Sequence, residues 1–577
     1  MADKVVRVLS YGKPHHERTT VEPSAIRALA DEYFEYLTET NPTEAHMRGD
    51  YRYADRWEDF SRQAEDADVD KLREFGARAY AIDPTEMSAD DALTREVLIF
   101  ETETKAALEE MHMAEFAVDP IFGFQVYAKL LPPMLSVPTA EVAEAMVEKY
   151  KGYGRSFDQM TERYRQGIKS GRTPARFAVE GVITQLDEWL AIPIGNDPLL
   201  STQVPADFSP DQVTTWKEEL GDVIREFVRP AVERQRDALR DEVLPASRPE
   251  GKEGLYWLPD GDLVYARSIH RYTTLPMQAG EIHEVGIQQI ARLADEYREI
   301  GGDVLGTTNL EEIFARLRDD ANLHHTTGEG VRSAAEEAFE KARAAMGDWF
   351  GRLPVADCLV AEIESGAQAF YFPAAEDGTR PGMFFMNTAD PASWGTFEVE
   401  ATAFHEGIPG HHLQLAIAQE LGDSVPAFRR HGHIVAYGEG WALYTERLVD
   451  EMGLYGSQLD RMGMLSADSM RAGRLVVDTG VHGLGWSRQQ AIDYLAENSP
   501  MTMHTITEEI DRYIASMPGQ ALSYMIGRLE IQRMRAAAEE QLGEGFDIKG
   551  FHDAVLTSGG VPLETLDRLV SEWADSV

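Results

Sequence analysis

The sequence predicts a mainly α-helical protein with small β-hairpins. Long stretches repeat apolar residues with a 3.6-residue period, alternating stretches are scarce, and Gly and Pro punctuate the helical segments without a long linker. In segment 23–40, Ile26, Leu29, Ala30, Tyr33, Phe34 and Leu37 fall on one apolar face, and Asn41-Pro42 ends the run. Segments 91–114, 139–168, 212–240, 280–300, 310–320 and 332–349 repeat the pattern. With no low-complexity tract or internal repeat, residues 20–577 read as a single large helical unit after an N-terminal extension, 1–19. Two stretches read as hairpins. One spans 254–267, where Leu255-Tyr256-Trp257-Leu258 and Leu263-Val264-Tyr265-Ala266 flank Pro259-Asp260-Gly261-Asp262. The other spans 369–388, with arms Ala369–Phe372 and Met383–Asn387. A free strand edge at the second can take an extended peptide backbone.

Composition bounds the function. Of 577 residues, 43% are hydrophobic and 27% charged, an ordinary globular balance. The net charge of −44 argues against nucleic-acid binding and against docking on an anionic membrane, and its simplest reading is solubility. No stretch approaches the length of an apolar membrane span, and the first residues lack the apolar core of a secretory signal, so a cytoplasmic location is expected. Cys358 is the only cysteine, which excludes an intrachain disulfide and a thiolate metal cluster.

The chemistry concentrates in 396–450. His405-Glu406 is followed by Gly407-Ile408-Pro409-Gly410 and then His411-His412, a stretched version of H-E-x-x-H, in which two histidines bind zinc and the glutamate activates water. On an unbroken helix His405 and His412 would share a face yet stand about 10 Å apart, too far for one ion. The chain must therefore bulge between them. Pro409 breaks the hydrogen-bond ladder, and Gly407 and Gly410 accept the dihedrals that a bulge needs. A two-residue loop-out selects His411 as the second ligand and a three-residue loop-out selects His412. His411 is preferred, with His412 supporting the site from behind the ligands or facing substrate. A third ligand is expected at Glu439, an acidic residue in the apolar run IVAYGEGWALYTERLVD, where burial without a cation is costly. Glu446, seven residues on, is expected to support a histidine.

At these residues the chain resembles a bacterial domain-of-unknown-function family marked by HEGxPGHH followed by YxEGWALY, similar in turn to the gluzincin metallopeptidases. The resemblance covers most of the chain, from Pro42-Thr43-Glu44-Ala45 to Pro518-Gly519-Gln520-Ala521-Leu522-Ser523-Tyr524. It implies a two-lobed helical body around a deep channel, with one zinc ion per chain held by His405, His411 and Glu439, and Glu406 as general base. It also implies a late tyrosine that stabilises the tetrahedral intermediate, matched here by Tyr524. From spacing alone, Arg474, Asp478 and His482 fall along one side of a helix, as do Gln520, Tyr524 and Arg528. His482 is a candidate to approach a substrate carbonyl, and Arg474 and Arg528 are candidates to hold substrate, Arg528 through a carboxylate. The expected activity is zinc-dependent hydrolysis of short peptides. The alternatives are a zinc amidohydrolase acting on a small metabolite, and a helical binding protein with a structural metal.

Overall fold

The computed structural model describes residues 24–364, 366–375, 378, 380–432 and 434–577; the N-terminal extension lies outside them. Helices dominate, and all seven apolar-periodic segments are helical. The first, Ala25–Thr40, starts at Ser24, whose side chain accepts the Arg27 N–H, and ends at Asn41, as its sequence predicts. Among the described residues no helix is long and apolar enough to cross a membrane.

The expected hairpin at 254–267 is replaced by helix. Leu255–Trp257 forms one tight turn, and Gly261–Thr273 is an α-helix that buries Val264, Tyr265, Ser268 and Ile269. The two apolar quartets mimic strand arms, but the second continues as LVYARSIHRYT, whose buried positions keep the helical period. The second hairpin does form. β2 (Ala369–Phe372) pairs antiparallel with β3 (Gly382–Asn387), with Phe370 opposite Phe385. A strand not foreseen, β1 (Cys358–Ile363), pairs parallel with β3 on its other side, so the order is β1-β3-β2 and the sheet's free edges belong to β1 and β2. β1 carries only Cys358 fully buried, which gives it little apolar signal.

Two large apolar cores organise the helices. One joins the start of the chain to its end, from Ile26 to Phe116 and from Leu255 to Ala574. The other gathers residues between Ala54 and Val243. The helix Gln458–Gly483 is buried at every residue from Ala472 to His482, and its Arg474, Asp478 and His482 are paired inside the protein. Beside it, the helices Val435–Glu451 and Ser523–Leu542 cross in near backbone contact. A Cβ added at Gly440 would lie 2.5 Å from the Gly527 Cα. This crossing brings the neighbours of Gly440, Glu439 among them, close to the first turn of the second helix, which carries Tyr524.

Gly440→Ala should therefore force the helices apart and cost about 1–3 kcal/mol. Gly347→Ala, with nothing within 4 Å of its Cβ on the Gly328–Trp349 helix, should stabilise by about 0.5–1 kcal/mol. Denaturant titration of the two variants checks both signs.

Candidate metal centre

The HEGIPGHH segment folds as two helices with a break. Val399–Glu406 ends at Gly407, His411–Glu420 begins after Gly410, and the His412 N–H reaches back to the Gly407 carbonyl at 3.1 Å. The break needs glycine for close approach, since a Cβ at Gly410 would stand 1.8 Å from the His405 carbonyl oxygen. The Trp441 indole donates to the Pro409 carbonyl at 3.0 Å and ties the break to the helix that carries Glu439.

The result is a compact triad. The nearest ligand atoms of His405, His411 and Glu439 all lie within 4.8 Å of one another. Glu439 Oε2 is 3.6 Å from His405 Nε2 and 3.3 Å from His411 Nε2. Two ligands about 2.0–2.1 Å from one tetrahedral zinc stand roughly 3.4 Å apart, so the spacing fits one ion. The side chains are 4% (His405), 11% (His411) and 13% (Glu439) exposed, enough enclosure to make an unneutralised carboxylate costly. Glu439 Oε2 is buried without a hydrogen-bond donor, which is what an atom shaped for a cation looks like. Glu446 accepts from His405 Nδ1 at 2.8 Å, fixing the tautomer that turns Nε2 toward Glu439. Burial opposes the charge of both groups. Even so, the nearby Glu439 carboxylate and the bond to Glu446 raise His405 to about 9, and the two histidines pull Glu439 well below the usual carboxylate range.

His412 faces away from the triad. Its Nδ1 accepts from the Tyr371 hydroxyl at 2.9 Å and its Nε2–H donates to the Ala356 carbonyl at 3.0 Å. Both nitrogens are used, and burial lowers it to about 4, so it pins the small sheet to the metal segment. It has no free nitrogen to face a substrate, as the sequence reading had expected. Tyr524 does lie beside the triad, its ring parallel to that of His405 at 6.4 Å between centroids. Glu406 is half-buried in the last turn of its helix, directly after His405.

The remaining candidates have other partners. His482 accepts the Leu255 N–H at Nδ1 (3.1 Å) and donates to the Tyr513 carbonyl at Nε2 (3.1 Å), and burial lowers it to about 3. A fully buried ring with both nitrogens engaged cannot reach a substrate carbonyl. Arg528 is 2% exposed and bonded to Asp468, which also accepts from Arg447 Nε at 2.6 Å. It caps an internal ion network and does not wait for a substrate carboxylate. Arg474 binds Glu509 at 2.8 Å and lies over the Tyr524 ring at 4.5 Å, so it steadies that tyrosine. Asp478, one helical turn beyond it, accepts from the Tyr265 hydroxyl and the Gly519 N–H.

A second grouping, Glu65, Asp66 and His112, brings ligand-type atoms together among the described residues. Arg62 donates to Asp66 at 2.9 Å and Arg163 to Glu65 at 2.5 Å, so two guanidinium groups already neutralise it.

The family model for bacterial proteins of unknown function designated DUF885 matches residues 42–570. The chain belongs to this family. Its fold is shared with two solved structures. One is named as the "putative lipoprotein" of Colwellia psychrerythraea, with TM-score 0.89 and 24% identity, over 96% of this chain and 99% of that one. The other is named as a "putative lipoprotein of unknown function" of Shewanella oneidensis, with TM-score 0.75 and 15% identity, over 95% and 100%. No curated protein matches the chain significantly.

If the triad is the metal site, purified His411→Ala should lose stoichiometric zinc while His412→Ala keeps it. Elemental analysis of the two proteins reads the difference, and the opposite pattern would move the second ligand to His412.

Proposed function

We propose that this protein is a zinc-dependent hydrolase, a metallopeptidase acting on short peptides. The observation that carries the reading is the His405–His411–Glu439 triad with Glu446 behind His405: two imidazoles and one carboxylate at zinc spacing, the three-ligand set of catalytic zinc sites, in which water takes the fourth position. Zinc in such a set supplies a Lewis acid that acidifies water and polarises a carbonyl. His405, His411 and Glu439 hold it, and Glu446 keeps the His405 ring oriented. Glu406 takes the proton of the attacking water and delivers it to the leaving amine. Tyr524, pressed between the His405 ring and the Arg474 guanidinium, offers its hydroxyl to the developing oxyanion without adding a fixed charge.

The small sheet favours a peptide over another amide. Among the described residues the outer edge of β2 has no strand partner, and Tyr371 in β2 bonds to His412 next to His411, so an extended backbone added there would lie near the triad. The same reading takes the two large apolar cores as the lobes of a gluzincin-like body on either side of the substrate's path.

Hydrolysis of a peptide library separates the roles. Glu406→Gln should retain zinc and fold but lose on the order of 10²–10⁴ in rate. Tyr524→Phe should depress kcat by on the order of 10²–10³ with little change in KM. Undiminished turnover by Glu406→Gln would reject the mechanism.

A further inference from the structure

A cavity of about 130 Å³ is walled by Glu398, Ala401 and Thr402 of the His405 helix and by Arg471, Arg318 and His324. Residues 398, 401, 402 and 405 follow the i, i+3, i+4, i+7 rule, so the cavity runs along the helix face that ends at His405. Arg471 links the two places. Its guanidinium is 4.0 Å from Glu446 Oε1, the atom that bonds His405, and 5.9 Å from the Tyr524 ring.

The charge in this cavity is unusual for so acidic a chain. Among the described residues Arg471 makes no hydrogen bond to a carboxylate. Its Nη1 gives one long bond, 3.4 Å, to the Ala467 carbonyl, and its Nε is buried with no acceptor. Its one ion pair is the long 4.0 Å contact to Glu446, and among the described residues Arg318 has no carboxylate within ion-pair distance. It donates to the Met501 and Ser499 carbonyls at 2.8 and 2.9 Å, which leaves its charge unneutralised. The opposing acid is Glu398, which accepts from the Gly395 N–H at 3.1 Å and from the Ser466 hydroxyl at 3.4 Å, so both of its oxygens already have donors. Leu317, Trp394, Phe397 and Met501 add apolar surface, beside the polar side chains of Gln368, Ser393, Ser466, Thr502 and Thr505. The space equals roughly four waters, which suits the end of one residue and excludes a folded partner.

We propose that this cavity seats the free carboxylate and apolar side chain of a substrate's C-terminal residue, with Arg471 and Arg318 as its anion-binding groups. Two guanidinium groups with open donors are the usual complement of a carboxylate. This deepens the hydrolase reading and rests on it for the direction of cleavage: a chain end held here places the scissile bond at the triad close to the C-terminus.

Calorimetric titration of the full-length zinc-loaded protein with N-acetylleucine and with its amide tests the pocket apart from catalysis. The acid should bind at least about tenfold more tightly than the amide. Arg471→Gln and Arg318→Gln, each checked for an unchanged thermal transition, should each erase on the order of 10- to 100-fold of acid affinity. Equal binding of acid and amide, binding of neither at millimolar concentration, or a preference that survives both substitutions would overturn the proposal. A peptide library offered as free acids and as C-terminal amides adds the second arm. Glu406-dependent cleavage that ignores amidation removes the C-terminal assignment and leaves the hydrolase standing. Acid-selective binding without any cleavage keeps the pocket and removes the hydrolase.

Discussion

The arrangement depends on one geometric constraint: two histidines six residues apart cannot reach one ion from an unbroken helix. Six residues advance about 9 Å and turn well off the starting face. The Gly407–Gly410 break removes that separation. Gly410 passes so close to the His405 carbonyl that no side chain fits, and the Trp441 indole holds the Pro409 carbonyl from the next helix. Once His411 is folded back beside His405, the Gly440–Gly527 crossing determines what else can be near, with Glu439 on one helix and Tyr524 on the other. The triad thus follows from two places where backbone approaches backbone.

Electrostatics then makes the triad costly without a cation. Glu439 and Glu446 sit with His405 in surroundings that give little solvent compensation, and one oxygen of each carboxylate has no donor. Elsewhere the protein resolves buried charge within itself, as where Asp468 is clasped by Arg447 and Arg528. The His405–His411–Glu439 triad and the neighbouring Arg471–Arg318 cavity depart from that habit in opposite senses. One has carboxylate oxygen to spare and the other guanidinium. A cation at the first and an anion at the second, drawn from one substrate complex, would complete both.

Much of this was legible in the sequence. The HEGIPGHH spacing requires a bulge, and its Gly and Pro supply one, which leaves His411, the preferred residue, or His412 to come beside His405; the fold brings His411 there. Glu439 betrayed itself as an acid within an apolar helix. Other positions carry no such mark. His482 and Arg528 have the residue types and spacing of functional groups, yet their partners are backbone carbonyls and acids from distant segments, which no local pattern records. The misread strands at 254–267 fail for a related reason. A four-residue apolar run fits either period, and only the continuation through Ser268 and Ile269 decides for helix. Arg471 was visible as a residue but not as one without a carboxylate hydrogen bond, because pairing is a property of the fold.

The central claim is that His405, His411 and Glu439 share one metal ion. Anomalous diffraction from a crystal of the zinc-loaded protein, recorded on either side of the zinc absorption edge, tests it most directly. The account predicts one strong peak within about 2.0–2.2 Å of His405 Nε2, His411 Nε2 and a Glu439 oxygen, with Glu446 still bonded to His405 Nδ1. A peak ligated by His412, or a zinc-loaded protein whose only peaks lie away from this triad, would contradict it.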